Sequence, residues 1–164
     1  MIFSTNSTPE VLCTFADASY ANDTGRRSIS GVLVTLYGNP VHWLSKRQNV
    51  VALSTTEAEY MAVSTALQEV LWFKQFIKEL FNINIVAPLI LNDNTSTINL
   101  AKNEVEHSRT KHIDVRFHFI KHYLKNESIK LDYVKTTEQL SDILTKRMDN
   151  KTFKHLCNKL MFNG

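Results

Sequence analysis

Short apolar runs with a two-residue period give way along this chain to longer stretches with a helical period. Residues 11–17, Val-Leu-Cys-Thr-Phe-Ala-Asp, place Val11, Cys13, Phe15 and Asp17 on one face of a strand. Residues 29–37 read as a second strand. Gly38-Asn39-Pro40 reads as a turn and residues 41–45 as the start of a third strand, so the short connection predicts an antiparallel hairpin. From about Thr56 to about Leu80 the period is helical, with Val63, Ala66, Leu67, Val70, Phe73, Ile77 and Leu80 as the core stripe. An apolar strand over 86–92 follows, then a short helix capped by Asn94 or Thr95 and ending near Lys102. Residues 111–125 predict another helix, residues 128–134 an alternating strand, and residues 137–147 and 150–162 two closing helices. This order predicts an α/β fold, a mixed sheet with helices on its faces. With no repeat or linker in 164 residues, a single domain over 1–164 is expected.

Composition narrows the class. A hydrophobic fraction of 43% and a charged fraction of 21% are ordinary for a globular protein. No apolar run approaches the roughly 18–20 residues of a membrane span, so no membrane partner is expected. The first residues, Met-Ile-Phe-Ser-Thr-Asn-Ser-Thr, lack the basic and apolar regions of a secretory signal. Cys13 and Cys157 build no disulfide framework, which points to an intracellular, reducing compartment. The net charge of +3 is concentrated: residues 102–125 hold six Lys or Arg against three acids, and four of the six histidines. A basic stripe beside a carboxylate site suits a nucleic-acid enzyme, and an ordinary solvated helix would carry the same charge.

Four acids carry the candidate chemistry. Asp17 closes the first strand, Asp93 follows Pro-Leu-Ile-Leu-Asn, and Asp142 lies in Gln-Leu-Ser-Asp-Ile-Leu-Thr-Lys, predicted as a short helix. Glu59 stands four residues before Val63 and extends that inward face, where an acid is costly unless paired or metal-bound. Each has a plainer reading. Glu59 fits a capping box begun by Thr56, although Ser54-x-x-Glu57 fits equally and releases it. Asp93 fits a helix cap, Asp142 a solvated helix position and Asp17 the opening of a turn. Gathered in one place, the four would hold hard divalent cations through oxygen. His118 and His122 have zinc-compatible spacing but no third ligand nearby in sequence, and read as surface or phosphate-contacting groups.

The motifs resemble ribonuclease H, and more narrowly the ribonuclease H domain of copia-type LTR retrotransposon polyproteins. The runs that carry this span most of the chain: Gly25-Arg26-Arg27-Ser28-Ile29-Ser30-Gly31, Trp43-Leu44-Ser45-Lys46-Arg47-Gln48, Ala52-Leu53-Ser54-Thr55-Thr56-Glu57-Ala58-Glu59-Tyr60-Met61-Ala62, Asn92-Asp93-Asn94, His107-Ser108-Arg109-Thr110-Lys111-His112-Ile113-Asp114, and Glu138 through Lys146. The resemblance implies a five-stranded mixed sheet with helices on both faces and a four-carboxylate site. It implies Asp17, Glu59, Asp93 and Asp142 as catalytic and metal-binding residues for two magnesium ions, with manganese able to substitute, and no small-molecule cofactor. The implied reaction is cleavage of the RNA strand of an RNA–DNA hybrid during reverse transcription, leaving 3′-hydroxyl and 5′-phosphate ends. The implied partner is a reverse transcriptase domain of the same polyprotein, and the implied location a cytoplasmic retrotransposon particle or the nucleus.

Hybrid recognition is expected through backbone shape and 2′-hydroxyls. Ser19, Asn22, Thr55, Thr56, Asn94 and Thr95 flank the acids, and Arg109, Lys111, His112 and Arg116 are candidates for phosphate contacts. One departure stands out: the connection Lys135-Thr136-Thr137-Glu138 lacks the histidine that many ribonucleases H carry there, leaving Glu138 as the nearest substitute. Two other readings are a non-catalytic nucleic-acid or protein-binding module of this fold and a DNA-cutting nuclease of the integrase or resolvase type. The four acids weigh against the first and the copia-type runs against the second.

Overall fold

A computed structural model describes residues 11–22, 25–103 and 111–161. Five strands form one sheet: β1 (Leu12–Ser19), β2 (Ile29–Leu36), β3 (Asn39–Arg47), β4 (Leu89–Asn92) and β5 (Lys130–Tyr133), in the order β3-β2-β1-β4-β5. β1, β2 and β3 are antiparallel, and β4 and β5 add in parallel beside β1. The described residues also form four α-helices: α1 (Thr55–Phe81), α2 (Thr95–Lys102), α3 (Lys111–Lys125) and α4 (Asn150–Met161). The expected α/β architecture with a mixed sheet is the one observed.

The period of β1 divides the core. Leu12 and Ala16 join β2 residues Val32 and Val34 in the main cluster beneath α1, α2 and α3. Phe15 and Leu33 point the other way, into a smaller cluster with Leu140, Ile143, Leu144 and Leu156. Helical structure therefore covers both faces of the sheet.

Several element boundaries differ from the sequence expectation. The β2–β3 turn is Tyr37-Gly38, both at positive φ, as a two-residue hairpin requires. Asn39 and Pro40 therefore belong to β3, an edge strand where a missing N–H is tolerated. The strand expected over 86–92 is confined to Leu89–Asn92, and Val86 is exposed. Leu80 is exposed too, because the buried positions of α1 end at Ile77. The closing helix expected over 137–147 is instead two 3₁₀ turns, Thr136–Glu138 and Leu140–Leu144. Gln139 separates them with an extended backbone, and its buried amide donates to the Ala16 carbonyl at 2.9 Å, a tie to the sheet that interrupts helical propagation.

The start of α1 settles which capping box forms. The Ser54 hydroxyl accepts from the Glu57 amide N–H at 3.1 Å, and Glu57 Oε2 accepts from the Leu53 N–H at 2.9 Å. Glu59 is thus released from capping. Ser54→Ala should lower stability by about 1 kcal/mol, measured by chemical denaturation.

Candidate active site

The carboxyl-terminal ends of β1 and β4 and the first turns of α1 converge on one carboxylate cluster. Oxygens of Asp17, Glu59 and Asp93 all lie within 4.8 Å of one another. Asp17 is fully buried, Glu59 nearly so and Asp93 half-buried. Asp142 is not a member of that trio. It reaches the site from the second 3₁₀ turn through a shared cation: Lys146 Nζ donates to Asp17 Oδ1 at 2.9 Å and to Asp142 Oδ1 at 3.0 Å.

A shell of neutral polar groups fixes these acids. Asn92, fully buried at the end of β4, donates to Glu59 Oε2 and to the Ala16 carbonyl, both at 2.9 Å, while its Oδ1 accepts from the Asn94 N–H at 3.0 Å. The Thr145 hydroxyl donates to Asp17 Oδ2. Gln139 accepts from the Ser141 hydroxyl at 2.9 Å, and the Ser45 hydroxyl donates to the Leu144 carbonyl at 2.7 Å. Gly31, opposite Asp17 in the β1–β2 register, permits the close approach of the Asp142-bearing turn. A Cβ there would lie 2.5 Å from Thr145 Cγ2 and 2.9 Å from the Ser141 carbonyl oxygen.

The electrostatics show a site short of positive charge. Burial, and then the Asp17 carboxylate, push Glu59 up from 4.5 to about 8. The same two causes push Asp142 up from 3.8 to about 6, against the opposing effect of Lys146. Burial works against the Lys146 charge, but Asp17 and Asp142 outweigh it and hold its pKa above the ordinary lysine value. An oxygen-only donor set with excess negative charge fits a hard divalent cation.

A pH dependence follows. A carboxyl whose folded pKa is raised stabilises the fold below its unfolded pKa and loses that contribution as pH rises through the folded value. Without metal, the contributions of Glu59 and Asp142 should therefore fall between about pH 4 and about pH 8. The expected result is a melting temperature that drops across this window in EDTA, and a smaller drop in saturating magnesium, measured by thermal denaturation.

The residues expected to touch substrate are distributed as follows. Ser19 ends β1 half-buried, Thr55 and Thr95 are exposed at the first positions of α1 and α2, and Thr56 accepts through its carbonyl from the Thr97 hydroxyl at 3.2 Å. Asn94 is the α2 N-cap, accepting from the Thr97 N–H at 3.0 Å, and exposed Asn22 donates to the Thr145 carbonyl at 3.5 Å. Arg109 lies outside the described residues. Lys111 and His112 open α3, but their side chains are outside the description. Arg116 shares a cavity of about 80 Å³ with Lys46, Arg47, Gln48 and Gln68. Glu138, the suggested substitute for the loop histidine, is engaged by α4 through Lys159 and, at 3.6 Å, His155. Lys146 was not singled out from sequence, although its spacing of four from Asp142 is a readable ion-pair signal.

No protein-family model matches the chain. Solved structures similar to it include LC11-RNase H1 from compost, with a TM-score of 0.61, 16% identity, and coverage of 83% of this chain and 93% of that one. The foamy viral protease-reverse transcriptase in complex with RNA/DNA hybrid matches with a TM-score of 0.59 and 17% identity, over 88% of this chain and 22% of that one. The fold is that of ribonuclease H. Sequence relatives give the narrower assignment. The retrovirus-related Pol polyprotein from transposon TNT 1-94 of Nicotiana tabacum is 41% identical over 152 residues, which is 92% of this chain and 11% of the polyprotein. That from transposon RE2 of Arabidopsis thaliana is 35% identical over 147 residues, 89% of this chain and 10% of the polyprotein. The chain is a homologue of the Pol polyproteins of plant copia-type transposons and matches the ribonuclease H domain of a retrotransposon polyprotein, while spanning about a tenth of the length of these relatives.

Proposed function

We propose that this chain is a metal-dependent endoribonuclease that cuts the RNA strand of RNA–DNA hybrids during retrotransposon reverse transcription. The observation that carries the reading is the trio of buried Asp17 and Glu59 with half-buried Asp93, and Asp142 beside it. Those residues would hold two magnesium ions, for which manganese would substitute. Bound there, the ions would supply the positive charge that lowers the pKa of an attacking water and stabilises a leaving 3′-oxygen. Asn92 orients Glu59, and Thr145 orients Asp17, so the ligands are preorganised.

Ser19, Thr55, Thr56 and Thr95 supply hydroxyls at the rim for 2′-hydroxyl and sugar contacts, and Asn22 and Asn94 add amides there. Arg116, joined by Lys46 and Arg47 in one cavity, serves for phosphate, with Arg109, Lys111 and His112 continuing that role. LC11-RNase H1 and the foamy viral protease-reverse transcriptase, each in complex with RNA/DNA hybrid, share this fold, and the Pol homology supports a neighbouring reverse transcriptase domain as partner. No described helix is long and apolar enough to cross a membrane. A retrotransposon particle in the cytoplasm, or the nucleus, is the proposed location.

The end chemistry of the fragments tests the reaction type. RNA cut in magnesium should carry a 5′-phosphate that ligates directly to an acceptor 3′-hydroxyl, and EDTA should stop the cutting. Fragments ending in 2′,3′-cyclic phosphate, formed equally in EDTA, would refute metal-dependent hydrolysis.

A further inference from the structure

Asp17 has both carboxylate oxygens engaged, Oδ2 by the Thr145 hydroxyl and Oδ1 by the Lys146 ammonium. The ammonium also holds Asp142 Oδ1, which it joins to the site that the other three acids form by themselves. Its side chain is 36% exposed, so Lys146 lies at the edge of the site and not in its interior. A four-carbon stem can swing the charge outward while the stem stays against the protein.

We infer that Lys146 is an internal counter-ion for the Asp17–Asp142 edge of the site, and that a divalent cation seated between those two carboxylates binds only in exchange for it. This inference rests on the metal-dependent reading proposed above. The physical reason is exclusion. An ammonium in hydrogen-bond contact with both carboxylates occupies the volume that an ion shared by them needs. At a separation of a few ångströms in a partly buried site, a single and a double positive charge repel strongly. Within the trio, Lys146 reaches only Asp17, through Oδ1, and Glu59 and Asp93 have no ion pair among the described contacts. The two ion positions therefore differ: one on the Glu59–Asp93 side loads with Lys146 in place, and the one between Asp17 and Asp142 pays for its release.

The exchange makes Lys146 a positioning residue. In the metal-free protein it keeps the Asp142-bearing turn drawn towards Asp17. When an ion takes that position, the ammonium is released to the rim.

The test uses the full chain without nucleic acid. Manganese binding, followed by the paramagnetic resonance of free manganese, should show two classes of site in the wild type. In Lys146→Met the weaker class should tighten at least tenfold, with a smaller change in the stronger class. A weaker class that is unchanged or weakened in a folded Lys146→Met protein would overturn the inference. The wild type provides a second readout. The ¹⁵N resonance of the Lys146 ammonium, assigned by its loss in the variant, should shift during the second stage of a magnesium titration and not the first. A resonance that stays in place to saturation would overturn the inference, even if the variant failed to fold. Absence of any manganese binding, in wild type and variant alike, would refute both this inference and the metal-dependent reading; binding of two ions with no effect of Lys146 would refute the inference alone.

Discussion

Asp17→Asn should abolish cleavage of the RNA strand, lowering kcat/KM by about 10³-fold or more, equivalent to roughly 4 kcal/mol of transition-state stabilisation. Asp17 touches both halves of the site: it belongs to the trio and shares the Lys146 ammonium with Asp142. The substitution is nearly isosteric, and the amide oxygen can still accept from one of the two donors on Asp17, the Thr145 hydroxyl or the Lys146 ammonium. The amide NH2 then faces the other donor, so the metal-free variant should melt below wild type. The charge of Asp17 is also one cause of the raised pKa of Glu59, so its removal should narrow that gap as pH rises towards 8. Hybrid cleavage and thermal denaturation on one preparation separate loss of a functional acid from loss of the fold: activity should vanish in a protein that still melts cooperatively above the assay temperature. Cleavage within tenfold of wild type would place the reaction elsewhere.

Gly31→Ala should have the second largest effect, and through packing alone. The added Cβ would meet Thr145 Cγ2 at 2.5 Å and the Ser141 carbonyl oxygen at 2.9 Å, and a backbone oxygen does not yield as a side-chain tip does. The turn carrying Asp142 must move off the sheet. Overpacking of this kind costs about 1–3 kcal/mol. A displacement approaching 1 Å at a catalytic group lowers turnover by about 10²-fold. Thr145→Ser in the same chain removes the nearer contact and keeps the hydroxyl that holds Asp17, so the double variant should recover part of both losses. Full activity in Gly31→Ala would show that the turn has freedom the packing denies.

Much of this arrangement is legible in the sequence. The strand and helix periods located β1, β2, α1, α2 and α3, because each buries one regular face. The acids Asp17, Glu59 and Asp93 could be placed because each follows or opens such an element. The segment from Thr136 to Thr145 was not legible in the same way. Its apolar residues Leu140, Ile143 and Leu144 suit a helix, yet the backbone is set by contacts remote in sequence: Gln139 on Ala16, Ser45 on Leu144, and the space left by Gly31. Such long-range ties leave no local period. Asn92 and Lys146 escaped notice for a related reason. An asparagine after a strand resembles turn chemistry, and a lysine after a predicted helix resembles solvated surface. Only the sheet brings Asn92 to Glu59, and only the 3₁₀ turn brings Lys146 to Asp17.

The same ties explain why the two halves of the site differ in rigidity. Asp17 and Asp93 stand at the ends of adjacent parallel strands, and Glu59 lies in a helix whose start is held by the Ser54 cap and the Glu57–Leu53 bond. Asp142 depends on a short turn held by side chains. Changes to Ser45, Gln139 or Gly31 should therefore weaken the Asp142 side of the site before the trio.

The most direct measurement compares wild type with Asp93→Asn on a hybrid labelled separately in each strand, in magnesium and in manganese. Cutting confined to the RNA strand, and lost in the variant with both metals, is the result this account predicts. Equal cutting by wild type and variant, or cutting of the DNA strand, would contradict it.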